Sequence, residues 1–190
     1  MMTGIQKYLI LFTFLVIFLA FPQGSLLARD NTYTPEEIAA KVEGFFGDIT
    51  EGLAKAIEKV FNDLGRPNGY IAGEEVSGAI GIGLRYGKGN LNRKSAASRK
   101  VFWRGPSIGW DVGGNASKVF TLVYGLESDG QLFQRFPAVE GSFYFVAGLG
   151  VSYQQSGKVV LAPIRTGVGL RTGANVGYLH YGSEHSWLPF

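Results

Sequence analysis

From Tyr70 to the C-terminus the residues alternate in short runs broken by glycine, and no second helical stripe follows. Alternation with period two is the signature of strands. It predicts strands near residues 78–86, 88–94, 99–103, 107–112, 118–124, 142–153, 158–165, 166–172 and 174–181. Gly113-Gly114-Asn115, Asp129-Gly130 and Ser156-Gly157 are the expected antiparallel turns. Within 118–124, Phe120, Leu122 and Tyr124 alternate with Val119, Thr121 and Val123, so both faces are apolar. The same holds for Phe143, Phe145, Ala147, Leu149 and Val151 against Tyr144, Val146, Gly148 and Gly150. One face must be enclosed and the other covered. Glycines inside strands mark tight bends, and together these features predict a small, closed, soluble antiparallel β-barrel of about eight strands over residues 70–190.

The cover has to come from residues 29–69. Thr34-Pro35-Glu36-Glu37 is a helix start: Thr34 caps, Pro35 gives up an N–H that has no partner anyway, and Glu37 completes a capping box. Ile38, Val42, Phe45, Phe46, Ile49, Leu53, Ile57, Val60, Phe61 and Leu64 then form a helical stripe that ends at Gly65 and Pro67. The expectation is one N-terminal amphipathic helix packed on the barrel, bent or broken at Gly44, Gly47 or Gly52, since an unbroken helix would be about 45 Å long. Charge agrees in sign: residues 30–64 carry eight acidic and three basic residues, residues 65–190 thirteen basic and seven acidic.

The run from Lys7 to Phe21, one cation and then about 13 apolar residues, is shorter than the roughly 20 that span a bilayer and is broken by Pro22-Gln23-Gly24. It reads as a signal peptide over residues 1–28, cleaved near Ala28, and places the protein in the periplasm; retention as an anchor is the alternative. An exported chain can use disulfides, and this one has no cysteine, so its stability rests on packing. Residues 29–190 suffice for one domain. Their net charge of +2 does not suggest a nucleic-acid partner.

Gly105-Pro106-Ser107-Ile108-Gly109 matches the G-x-S-x-G nucleophile elbow, with Asp111 and His180 following in hydrolase order. An elbow needs a strand before the serine and a helix after it, whereas strand and turn follow here. The expectation is therefore no catalytic residue, with serine hydrolysis of envelope polymers as the alternative. His180 and His185 lack metal-ligand spacing, and the paired glycines at 81/83, 148/150 and 167/169 lack G-x-G-x-x-G; no metal or cofactor is expected. Arg85 to Arg104 holds seven basic residues and no acidic one. Arg93, Lys94, Arg99 and Lys100, with Trp103 for stacking, are the candidate site for an anionic lipid, lipopolysaccharide or envelope glycan. The plainer alternative is a charged edge that keeps a hairpin from pairing with neighbours. If those cations pair inward instead, Glu51, Glu58 and Asp63 on the helix are the expected partners. The terminal Phe190 suits an outer-membrane barrel, but Pro189 and the lack of an alternating apolar band before it oppose a membrane-spanning one. The oligomeric state is left open.

Residues 99–124, including Val101-Phe102-Trp103-Arg104-Gly105-Pro106 and Gly109-Trp110-Asp111, resemble the bacterial envelope integrity protein A family, long classed as a domain of unknown function. Leu132-Phe133-Gln134-Arg135-Phe136-Pro137, Leu161-Ala162-Pro163-Ile164-Arg165, Gly173-Ala174-Asn175-Val176-Gly177-Tyr178 and the ending Trp187-Leu188-Pro189-Phe190 are similar to it as well. More distantly the chain is similar to glycine-rich SYLF lipid-binding domains. The resemblance implies a periplasmic protein with a small β-barrel, a role in envelope integrity and no established catalysis. Lys94-Ser95-Ala96-Ala97-Ser98 departs from it, where a glycine-richer loop is implied.

Overall fold

The computed structural model describes residues 30–48, 50–111, 116–146, 149–165, 177–186 and 188. Among the described residues two helices precede the sheet, α1 (Pro35–Phe46) and α2 (Glu51–Leu64). The single expected helix breaks at Gly47, which ends α1 at φ +97°, a region that glycine enters without the Cβ clash of other residues. Gly44 and Gly52 stay inside their helices. The Thr34 capping box forms, with Glu37 N–H donating to Thr34 Oγ1 at 3.2 Å and Thr34 N–H donating to Glu37 Oε2 at 2.8 Å. Thr50 caps α2 through Leu53 N–H at 3.3 Å.

Among the described residues nine strands follow: β1 (Gly69–Arg93), β2 (Ala96–Asp111), β3 (Ser117–Tyr124), β4 (Arg135–Pro137), β5 (Tyr144–Val146), β6 (Leu149–Val151), β7 (Gln154–Ser156), β8 (Val159–Arg165) and β9 (Tyr178–Gly182). All pairings are antiparallel. The order is β4-β9-β2-β1-β3-β8-β6-β5, with β7 also on β8. The ladder is thus a curled, open path and not the closed ring expected. An isolated bridge between Ala138 and Gln154, with Val139 N–H donating to Tyr153 C=O at 2.9 Å, touches the β4 end to the β7 side. The result is a barrel-like half-wrap.

Strand lengths also depart from expectation. The runs 78–86 and 88–94 are parts of one 25-residue strand, because Gly87 sits inside a continuous ladder with Trp103 and does not end one. Residues 69–75 of β1 pair with β3 while 79–93 pair with β2. The strand bends back so far that Cβ positions built on Gly73 and Gly89 fall 2.3 Å from Lys88 O and 2.6 Å from Ala72 O. Asp129-Gly130 lies in a 3-10 turn, Asp129–Leu132, instead of a hairpin. Ser156-Gly157 does turn β7 into β8, with Gly157 at φ +58°. Gly113-Gly114-Asn115, the expected strand 166–172 and the first part of 174–181 lie outside the described residues.

Both sheet faces are buried, as the alternation of β3 requires. Phe120 and Leu122 pack with Ile38, Val42, Leu53 and Val60 of the two helices, while Val119 and Val123 point into a second cluster with Ile71, Trp103, Phe136 and Tyr181. The helix layer is pinned by polar ties too: Tyr153 donates its hydroxyl to Asp63 at 2.5 Å and Lys118 Nζ donates to Phe45 O at 2.9 Å.

Candidate functional site

Among the described residues the inner face of the curl carries a charged cluster, and glycine makes room for it. Gly87 carries no Cβ where one would meet Trp103 Cε2 at 2.0 Å, so the indole lies flat over the β1 backbone and is 3 % exposed. Its Nε1 donates to Glu75 Oε2 at 2.8 Å. Glu75 closes the stretch of β1 that pairs with β3, opposite Ser117, on the same face as Ile71. Its other oxygen, Oε1, accepts from Arg165 Nε at 3.0 Å and lies 3.2 Å from Arg85 Nε, a contact not aligned as a hydrogen bond. Arg165 ends β8, and its Nη1 donates to Ser152 Oγ at 3.2 Å. Tyr181, opposite Trp103 in the β2–β9 register, has its ring centroid 5.8 Å from the indole.

Two guanidinium groups therefore share one carboxylate in a buried setting; the side chains of Glu75 and Arg165 are 5 % and 9 % exposed. Burial pushes the Glu75 carboxyl up, but Arg165, Arg85 and the Trp103 N–H outweigh it and hold the group below the usual carboxylate range. Burial likewise lowers Arg85, with Glu75 opposing, and raises the Tyr181 phenol. Among the described residues the cluster is one positive charge in surplus, and Arg165 Nη2 is buried with no hydrogen-bond partner. Such a donor is costly to bury unsatisfied. Beside the cluster lies a cleft of about 350 Å³ lined by Glu74, Glu75, Val76, Tyr86, Gly87, Lys88, Ala116 and His185.

The residues picked out by the basic run are not gathered into one surface. Arg93 Nη2 lies 2.7 Å from Asp129 Oδ1 and Arg99 Nη1 3.6 Å from Asp129 Oδ2, while Lys94 pairs with Glu37 at 2.7 Å. Lys100 is exposed, over the Phe102 ring, and Trp103 is in the core. The inward partners are thus Asp129 and Glu37, not Glu51, Glu58 and Asp63; Glu51 pairs with Lys55, and Asp63 with Lys59 and Tyr153. Arg93→Gln, which leaves a mostly buried Asp129 carboxylate with only the longer Arg99 contact, is expected to lower stability by about 1–3 kcal/mol. Lys100→Gln should stay within about 0.5 kcal/mol. Urea unfolding of both variants checks the contrast.

Gly105 to Gly109 continue β2 without a turn, with Ser107 opposite Gly83 and Asp111 opposite Ala79. His180 pairs with Arg104, seven positions from Asp111 along β2, or about 23 Å of strand at roughly 3.3 Å per residue. Burial and the neighbouring Arg104 and Arg135 push His180 below its ordinary value. Among the described residues no group of three His, Asp or Glu side chains is placed to hold a metal ion.

Glu75, Arg85 and Arg165 were not singled out as a set by sequence reasoning. A signal was present: Val159 and Leu161 of β8 point inward, so Arg165 stands at an inward position, as Glu75 does two steps beyond Gly73. A charge on the buried parity of a strand is the mark of a paired interior site.

The family model described as envelope integrity protein A matches residues 31–190. A crystal structure of a beta-barrel-like, uncharacterized protein from Brucella abortus is similar, with a TM-score of 0.76 and 48 % identity, over 84 % of this chain and 99 % of that one. No curated protein matches.

Proposed function

The chain belongs to the envelope integrity protein A family, and on that premise we propose that it supports the cell envelope from the periplasm by binding an anionic lipid or envelope glycan, without transforming it. The observation that carries this reading is the make-up of the buried cluster, in which the Arg165 and Arg85 guanidinium groups share the Glu75 carboxylate. Arg165, Arg85 and the Trp103 N–H hold Glu75 below the usual carboxylate range against the effect of burial, and burial raises the Tyr181 phenol. General acid–base catalysis needs a group that exchanges a proton near the working pH, and both shifts run away from neutral pH. Ser152 accepts from Arg165, which supplies no base to activate a nucleophile. The straight course of β2 through residues 105–109 favours binding over the serine-hydrolase reading for the same reason, since the strained turn that exposes a nucleophile is missing.

The test uses cells lacking the native gene. Protein recovered from the periplasm should have the mass of residues 29–190 and carry a lipid or glycan detectable by native mass spectrometry, and Ser107→Ala at matched protein level should restore detergent resistance fully. A stably folded Ser107→Ala protein that fails to do so overturns the binding reading in favour of hydrolysis.

A further inference from the structure

We infer that the outward-facing row Arg104–His180–Arg135 is a binding site for the phosphate monoester of a lipid headgroup. This names a surface and a ligand class for the binding reading above and rests on it.

Three observations converge. The first is register. His180 of β9 stands directly opposite Arg104 of β2 on one side and Arg135 of β4 on the other, so three basic side chains form one row on one face. Neighbouring strands lie about 4.8 Å apart, which sets the two arginine backbones about 10 Å apart, a gap their side chains span around one anion. Like charges directly opposite one another destabilise a sheet, and burial, Arg104 and Arg135 hold His180 below its ordinary value. No carboxylate relieves them, because among the described residues neither arginine makes an ion pair. Arg104 Nε is buried with no hydrogen-bond partner. Arg135 is exposed, its guanidinium 4.9 Å from the centre of the Tyr178 ring, a contact that supplies no acceptor oxygen. Glu184, the nearest acid along the chain from His180, pairs with neither.

The second observation is that this part of the outer face is open. Trp103, Leu179, Tyr181 and Phe136 point into the inner cluster, so alternation turns Arg104, His180 and Arg135 outward. The helices cover the outer face elsewhere; the cluster they pack on takes Phe120 and Leu122 of β3 and Ala162 and Ile164 of β8, but no described residue of β2, β4 or β9. The third is an apolar margin. Two positions along the same strands and on the same face stand Pro106, Tyr178 and Pro137, and Leu84, opposite Pro106, is 38 % exposed. On the other side Gly182 leaves room for Arg104, whose Nη1 lies 3.8 Å from where a Cβ would be. A phosphate monoester carries a charge of about −1.5 to −2 near neutral pH and three strong acceptor oxygens, one for each side chain of the row, whereas a single guanidinium fork fills a carboxylate. The apolar margin favours a phosphate that brings an acyl chain over one that is free in solution.

Vesicles of phosphatidylcholine with phosphatidic acid, which carries the monoester, are compared with phosphatidylglycerol vesicles, which carry a diester, at matched surface potential. Inorganic phosphate is the arm without lipid. The wild type is expected to bind the phosphatidic acid vesicles most tightly. Arg104→Gln/Arg135→Gln should bind them about 10- to 100-fold more weakly, and Arg135→Gln alone, at an exposed position, keeps the comparison if the double variant does not fold. Lys41→Gln/Lys158→Gln removes the same charge from exposed positions away from the row and should lose less than about 3-fold. The chain has two histidines, so imidazole NMR reads the site directly. An anion held between Arg104 and Arg135 favours charged His180, and soluble short-chain phosphatidic acid should raise the pH at which His180 titrates in the wild type but not in the double variant. Equal losses in the row variant and the lysine variant, equal binding to both vesicle types, or an unmoved His180 overturn the site. A His180 response to inorganic phosphate with no vesicle bound overturns its assignment to lipid. If a lipid or glycan copurifies with the row variant as it does with the wild type, the binding reading stands and only this site is wrong; if nothing copurifies with any form and no vesicle binds, both fall.

Discussion

Gly73→Ala is expected to lower stability by about 3 kcal/mol, the upper end of ordinary overpacking, and to leave little folded protein at 37 °C if the parent is of ordinary stability. The new methyl carbon would sit 2.3 Å from Lys88 O, 2.7 Å from Gly89 Cα and 2.8 Å from the Trp103 ring. Two of those three neighbours are backbone in the same bent strand and cannot rotate away. Relief would require opening the doubled β1, which carries both the β2 and the β3 ladders. Gly44→Ala is the control. It lies in α1 with open space around its Cβ position, and the better helix former should leave stability unchanged or raise it by about 0.4–1 kcal/mol. Denaturant unfolding of both variants separates a steric requirement from a general intolerance of glycine replacement; a Gly73→Ala protein as stable as its parent would falsify the close approach.

Glu75→Gln is expected to cost about 3–5 kcal/mol in anion-poor buffer, because removing one member of a buried ion cluster leaves its partners desolvated and unpaired. The pH dependence carries a sign. The folded Glu75 carboxyl is held below its usual value, so its contribution is fully present above the unfolded pKa of about 4.3 and is lost as pH falls through the lower folded value. The gap in stability between wild type and variant should therefore be flat from about pH 5 to 8 and close below about pH 4. A gap that closed on the alkaline side instead would mean that another group carries the effect. A guanidinium does not lose its proton in this pH range, so the partners of Glu75 cannot produce this profile.

Part of what is written locally was read correctly, although Asp129-Gly130 makes a 3-10 turn and not the expected hairpin. Thr34 and Glu37 cap α1 as their spacing requires, Gly65 ends α2, and Phe120, Leu122 and Val123 of β3 divide between two cores as alternation demands. Each of these depends on residues within a turn of helix or a step of strand. Closure of the barrel, the length of β1 and the meaning of the basic run did not follow in that way. Gly87 looks like a strand end until Trp103, sixteen positions on, is seen to fill the space its missing Cβ leaves. Arg93 and Lys94 look like a solvated charge pair until Asp129 and Glu37 arrive from the 3-10 turn and from α1.

The candidate site divides along the same line. That Glu75 and Arg165 stand on buried parities is a property of their own strands, and the composition of β1 and β8 alone put a charge where water cannot follow. That they meet each other, 90 positions apart, across β3 and over an indole, was decided only by the register of β1 on β3 and of β3 on β8. Periodicity follows from backbone geometry repeated every few residues and is written locally. The choice of partner follows from which sheet order buries the most apolar surface while satisfying the charges, and that is a property of the whole chain at once.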